Sequence, residues 1–199
     1  MTSHDNLLVT KRNGRGKVPL DIEKIHTMVA SATENITGVS ASYVEMNSGI
    51  QFFDGISTDD IQQILIKSAN DLITLEHPNY QFVAARLLLF SLRKKLFRKL
   101  WEHPSLATHI KDCVKLGIYD ESILKNYTSA EIDRLNGFID HERDYQFTYA
   151  GLRQVMDKYL VQDRSSGEIY ETPQFMYMMI AATLFAKYPK EKRITYVKK

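Results

Sequence analysis

Cysteine is almost missing from this sequence of 199 residues: Cys113 stands alone, so no internal disulfide can form and nothing points to secretion. Proline (5) and glycine (9) are sparse, and no repeat or low-complexity tract occurs, which excludes collagenous and disordered classes. Net charge is nearly absent too. With 26 Lys+Arg against 24 Asp+Glu, the formal value of +2 is too small to advertise nonspecific binding to nucleic acid or membrane. No apolar run reaches the roughly 18 residues of a membrane span, and Met1 to Asn6 are polar, so neither a signal peptide nor an anchor is expected. The expected compartment is the cytoplasm. What remains is 44% hydrophobic residues at a mean hydropathy of -0.30, an ordinary globular composition with enough apolar mass for one large domain or two small ones.

Two short β-capable runs come first, Leu7–Lys11 and Lys17–Leu20, separated by Arg12-Asn13-Gly14-Arg15-Gly16 with its Asn-Gly turn signal. They predict a β-hairpin whose second strand, carrying Pro19, is an edge or very short. Asp21 is a good N-cap, and Ile22, Ile25 and Val29 share a helical face, predicting a helix over 22–33. A second helix is expected from Ser42, where Ser42-x-x-Glu45 reads as a capping box and Tyr43, Met46, Ile50 and Phe53 form an apolar stripe. The third starts at Ser57-Thr58 with Asp59 and Asp60 in its first turn. The fourth, Tyr80 to Leu100, is apolar on nearly every side and therefore central in a bundle, with Arg93, Lys94, Lys95, Arg98 and Lys99 making a basic tip.

Beyond His103-Pro104 the pattern changes to shorter helices over 105–116, 121–127 and 129–138, so a domain boundary is expected near 100–104. Residues 149–159 read as helical, a second hairpin is expected from 158–162 and 168–170 around Asp163–Gly167, and two helices follow, one opening near Pro173 and one after Pro189.

Chemistry concentrates at the first hairpin. Lys11, Arg12, Arg15, Lys17 and then Lys24 stand beside two glycines, a pattern that suits a triphosphate cradle and equally suits a solvated basic hairpin. Thr58 at a helix start and Lys94 at the end of the central helix add donors that can converge on the same anion. Elsewhere the signals are weaker. The six histidines show no metal-ligand spacing, and no metal site is expected. Asp140-His141-Glu142-Arg143-Asp144 looks like an acid/base cluster but is better read as surface ion pairs, and Cys113 as core packing.

The strings Val9-Thr10-Lys11-Arg12-Asn13-Gly14, Asp21-x-x-Lys24-Ile25, Asp54–Ile61 and Tyr80–Leu87 through Leu92–Lys95 resemble the ATP-cone, a regulatory nucleotide-binding module. The likeness continues through Asp140–Asp144, Phe147-x-Tyr149, Lys158–Val161, Gly167–Glu171 and Gln174-Phe175, and over nearly its whole length the chain is similar to the N-terminus of the large subunit of class I ribonucleotide reductase.

That resemblance implies a mainly α (α+β) protein: an ATP-cone over residues 1–100, built as a four-helix bundle capped by a β-hairpin, then the helical N-terminal part of the catalytic subunit over 101–199, ending before the barrel. It implies ATP as activator and dATP as inhibitor, with Mg2+, bound by Val9, Lys11, Arg12, Asp21, Lys24, Ile25, Thr58 and Lys94. Lys11 and Lys94 are the expected phosphate partners and Thr58 the base or sugar contact. The acidic residue many relatives carry before the second strand is replaced by Lys17-Val18, and Ser31 and Gln62 stand where some relatives hold a second dATP, so one nucleotide is expected. The family's catalytic cysteines are not in this segment, which implies no catalysis by the chain alone. Implied partners are the rest of the large subunit, in cis or as a split chain, a second large subunit and the radical-generating small subunit, with no nucleic acid and no membrane. The alternatives are a freestanding ATP-cone regulator and, more remotely, a basic helical protein binding nucleic acid through Arg86 to Lys99.

Overall fold

The computed structural model describes residues 7–11 and 16–198, so the hairpin turn holding Arg12 lies outside the described residues. The chain is mainly helical, with one two-stranded antiparallel sheet among the described residues. It divides into two compact units. The first holds the described residues up to Ser91 together with Tyr145–Leu152, and the second holds Leu92–Asp144 and Arg153 onward.

In the first unit, strands β1 (Leu8–Thr10) and β2 (Lys17–Pro19) pair with Val9 opposite Val18, as the turn signal predicts, and Pro19 sits in the edge strand. Helix α1 spans Ile22–Thr33, and Asp21 caps it by accepting the Lys24 backbone N–H at 3.2 Å. Helix α3 (Thr58–Asp71) is capped by Ser57, whose Oγ accepts the Asp60 N–H at 3.0 Å, while Asp59 and Asp60 complement its positive end. Helix α4 spans Tyr80–Phe97, and its residues to Ser91 belong here. Val29, Val44, Ile56, Leu65, Val83 and Leu87 form the core. Polar ties lock the helices: buried Gln62 donates to the Leu87 carbonyl at 3.1 Å, and Arg86 donates to the Glu34 carbonyl at 2.6 Å while lying over the Tyr145 ring.

Helix α2 departs from expectation. It runs Ala41–Gly49 with Ser40 at the N-cap position and no side-chain cap, so Ser42 lies inside the helix. Glu45 is not free to close a capping box, because its Oε1 meets His26 Nδ1 at 2.9 Å. Tyr43, Met46, Ile50 and Phe53 face solvent, Ile50 being 85% exposed, and α2 packs inward through Val44 and Ser48 instead. Periodicity found a stripe; the core used the neighbouring one.

The second unit is helical: α5 (Leu106–Lys115), α6 (Ser122–Asn126), α7 (Ser129–Asn136), a 3-10 turn at His141–Gln146, the end of α8 (Tyr149–Lys158), α9 (Pro173–Phe185) and α10 (Lys190–Lys198). Leu106, Ile110, Leu135, Phe175, Met179 and Ile194 are part of one continuous core. A buried Arg193 holds Glu131 in a two-pronged bond at 2.8 and 2.6 Å, stacks on the Tyr127 ring at 4.2 Å and donates to the Ala186 carbonyl. Glu131 also closes a capping box with Thr128, and together these donors hold its carboxyl down at about 2. The expected second hairpin is reduced to a single bridge, Gln162 to Ile169, because Asp163 folds the intervening residues into a tight turn by accepting the Ser165 N–H at 2.7 Å.

The cluster read as surface ion pairs is partly interior. Asp144 is buried, accepts from Gln174 at 2.9 Å, and lies 3.7 Å from Arg93, itself only 1% exposed. Burial outweighs both partners and pushes the Asp144 carboxyl up to about 6. Arg93 also donates to the His141 carbonyl at 2.6 Å, so it belongs to the core and not to a basic tip. Cys113 is buried as expected.

Candidate functional site

The hairpin is anchored to the bundle by backbone, not by side-chain burial alone. The Thr10 N–H donates to the Ile56 carbonyl at 2.9 Å, the Gly55 N–H donates to the Leu8 carbonyl at 2.8 Å, and Thr10 forms a parallel bridge with Ser57. Asp54 accepts the Leu8 N–H at 2.9 Å, and the Thr10 hydroxyl donates to the Gly55 carbonyl at 2.9 Å. The Asp54–Ser57 segment thus lies alongside β1 through these bonds and leads directly into α3. The bridge sets Thr10, the residue before Lys11, against Ser57, the N-cap residue before Thr58, so the end of β1 meets the N-terminus of α3.

Strand alternation then sorts the hairpin side chains. Val9 is buried against the bundle, and Thr10 and Lys17, its cross-strand partner, take the other face. Gly55 has φ +84°, and a Cβ there would lie 3.3 Å from Lys17 Nζ, so the lysine chain crosses directly over the glycine. Lys17 is one of the hairpin cations named from the sequence, and its pairing with Thr10 sets the face it takes.

At the start of α1, Asp21 and Lys24 are paired: besides the cap, Lys24 Nζ reaches Asp21 Oδ2 at 2.5 Å, and the bonds to Lys24 hold the Asp21 carboxyl below its ordinary value. Ile25, one residue on, is buried and faces a cavity of about 670 Å3 whose apolar wall includes Leu20, Ile22, Ile50 and Phe52, with the His26–Glu45 pair also lining it. That size lies within the range of small-molecule sites, roughly 300–1,000 Å3. Leu20 and Phe52 were missed from sequence, since neither lies in a charged motif. Lys94 is in the last turns of α4, half-buried, and belongs to the second unit. Among the described residues no cluster of metal ligands occurs, and no helix is long and apolar enough to cross a membrane.

Comparison with known proteins accounts for this arrangement. Residues 7–95 match the family described as the ATP cone domain, and residues 145–199 match the all-alpha domain of ribonucleotide reductase. Over nearly its whole length the chain is similar to the N-terminal part of ribonucleotide reductase large subunits. It is 47% identical to the ribonucleoside-diphosphate reductase subunit alpha of Haemophilus influenzae, over 98% of this chain and 25% of that protein. Against the corresponding subunit 1 alpha proteins of Salmonella typhimurium and Escherichia coli the identity is 48% and 47%, again over 98% of this chain and 26% of each relative. The chain therefore spans about a quarter of the length of these relatives. An all-alpha reductase domain joined to the cone is not what a freestanding regulator would carry. The nucleic-acid alternative loses two of its cations, since Arg86 and Arg93 are committed to carbonyls inside the fold.

Proposed function

We propose that this chain is the regulatory N-terminal portion of a ribonucleoside-diphosphate reductase large subunit, whose cone binds ATP as activator and dATP as inhibitor. The observation that supports the reading is the docking of β1 on the Asp54–Ser57 segment, which brings the end of β1 against the N-cap of α3 within a stretch matching the ATP cone domain. In this proposal Lys11 and Lys94 neutralise phosphate oxygens, with Arg12 and Lys24 adding charge and Mg2+ accompanying the triphosphate. Val9 and Ile25 pack on the base, Asp21 accepts from the nucleotide, and Thr58 donates to its base or sugar. Gln62 is spent on the Leu87 carbonyl, which favours one nucleotide over two. Closure of the hairpin then biases how the large subunit assembles with a second copy and with the radical-generating small subunit, provided that the effector binds the two assemblies with different affinity. The reaction, conversion of ribonucleotides to deoxyribonucleotides in the cytoplasm, belongs to the complete complex and not to this segment.

Isothermal calorimetry of the chain with ATP and dATP tests the reading. Saturable binding at one site is expected, weakened at least tenfold by Lys94→Ala or Lys11→Ala. Absence of binding, or affinity untouched by both substitutions, overturns it.

A further inference from the structure

Helix α9, Pro-Gln-Phe-Met-Tyr-Met-Met-Ile-Ala-Ala-Thr-Leu-Phe, is apolar on every side, yet only one side is covered. Phe175, Met178, Met179 and Ala182 enter the core of the second unit, whereas Tyr177, Ile180 and Leu184, spaced i, i+3 and i+7, form an outward stripe; Ile180 is 50% and Leu184 68% exposed. A helix hydrophobic all round is characteristically buried all round. Ile180 and Leu184 also edge a groove of about 760 Å3, walled by Val161, Met176 and Met179, and the exposed ring of Tyr159 extends it. The carboxylates lining that groove are already served, Asp120 by the Ser122 N–H at 2.7 Å. Glu171 accepts the Val161 N–H at 2.8 Å and the Tyr119 hydroxyl, so the groove offers area and shape with no carboxylate waiting for a ligand.

We infer that this outer face of α9, with its groove, is the docking surface for the remainder of a reductase large subunit. The relatives supply the reason for that occupant: they align with 98% of this chain, α9 included, and carry about three-quarters of their length outside the aligned part. An apolar stripe of this kind, conspicuous on an isolated domain, is what a larger polypeptide covers. The inference rests on the large-subunit reading, and is independent of nucleotide binding by the first unit.

The test compares the 199-residue chain with a fusion in which it replaces the matching quarter of the Escherichia coli relative. Photochemical carbene labelling is expected to fall at least fivefold at Ile180 and Leu184 in the fusion, while Leu75, fully exposed on the first unit, labels equally in both. Unchanged labelling overturns the inference. Should the fusion not accumulate, the same footprint on this chain mixed with the Escherichia coli relative lacking its matching quarter decides it in the same way. The double substitution Ile180→Asp with Leu184→Asp should leave the Tm of the isolated chain nearly unchanged and lower that of the fusion; equal tolerance in both overturns it. If sedimentation shows the isolated chain to be a dimer that the double substitution dissociates, and labelling in the fusion is undiminished, a second copy is the occupant and the inference fails. Calorimetry with ATP on the same preparations reports on the cone separately.

Discussion

Acid should loosen the second unit through His109, and the size of the effect follows from its surroundings. The imidazole is buried, stacked on Phe175 with ring centroids 4.2 Å apart, and 3.1 Å from the Tyr119 hydroxyl through Nε2. Tyr119 donates its own proton to Glu171, so it accepts from Nε2–H, and the neutral ε tautomer is the one that fits. Burial lowers the His109 pKa from 6.5 to about 4. Between those values the unfolded chain takes up a proton that the folded chain refuses, so stability rises with pH and is lost as pH falls from 6.5 toward 4. At pH 5 the gap of about 1.5 units corresponds to about 2 kcal/mol at 1.36 kcal/mol per unit. His103 and His141, stacked at 3.8 Å and lowered by burial to about 3 and about 4, act in the same direction. Asp144, raised to about 6, acts oppositely, because the folded chain binds its proton first as pH falls from 6 toward 3.8. Urea unfolding at pH 7.5 and pH 5.0, on the parent and on His109→Gln, cancels these shared contributions. Glutamine keeps a donor for Tyr119 and does not titrate. The loss of stability on acidification should be smaller in the variant by about 2 kcal/mol; an identical loss in both proteins refutes the assignment of a buried neutral imidazole.

Gly55→Ala puts a Cβ into a left-handed residue and against Lys17, so the hairpin dock should weaken by about 1–2 kcal/mol, read as a lower Tm and faster amide exchange at Thr10; an unchanged exchange rate would contradict the docking geometry. Arg193→Met strands Glu131 and removes the Tyr127 stack, and should cost about 3 kcal/mol in denaturant unfolding, whereas a loss under 1 kcal/mol would mark the pair as solvated. Cys113, pushed up to about 11 chiefly by burial, should react with a thiol reagent at pH 8 only at the rate of unfolding; prompt stoichiometric labelling of the folded chain would count against its burial.

Most of the helical architecture was readable from local chemistry. Asp21 and Ser57 end the approach to α1 and α3 by offering a side-chain acceptor, and the Asn-Gly turn between β-capable runs forecast β1 and β2, because these effects act within a few residues. The same logic failed at α2, where an equally good local pattern at Ser42 lost to a distant partner, His26, and to packing through Val44. It failed again at Arg93, which reads as part of a cationic tip and is held inside by the His141 carbonyl and Asp144, residues dozens of positions away.

The candidate site divides along the same line. Residue types that bind triphosphates, Lys11, Arg12, Lys24, Thr58 and Lys94, were visible in the chain, as was the likeness of their spacing to a cone. Only folding decided that β1 pairs with the segment before α3, that Lys17 crosses Gly55 on the far face from Val9, and that Ile25 looks into a cavity walled by Phe52. Caps and turns are short-range and carry their own instructions, whereas pairing across 45 residues, as between Thr10 and Gly55, is chosen by whichever burial and hydrogen bonding satisfy the whole core at once.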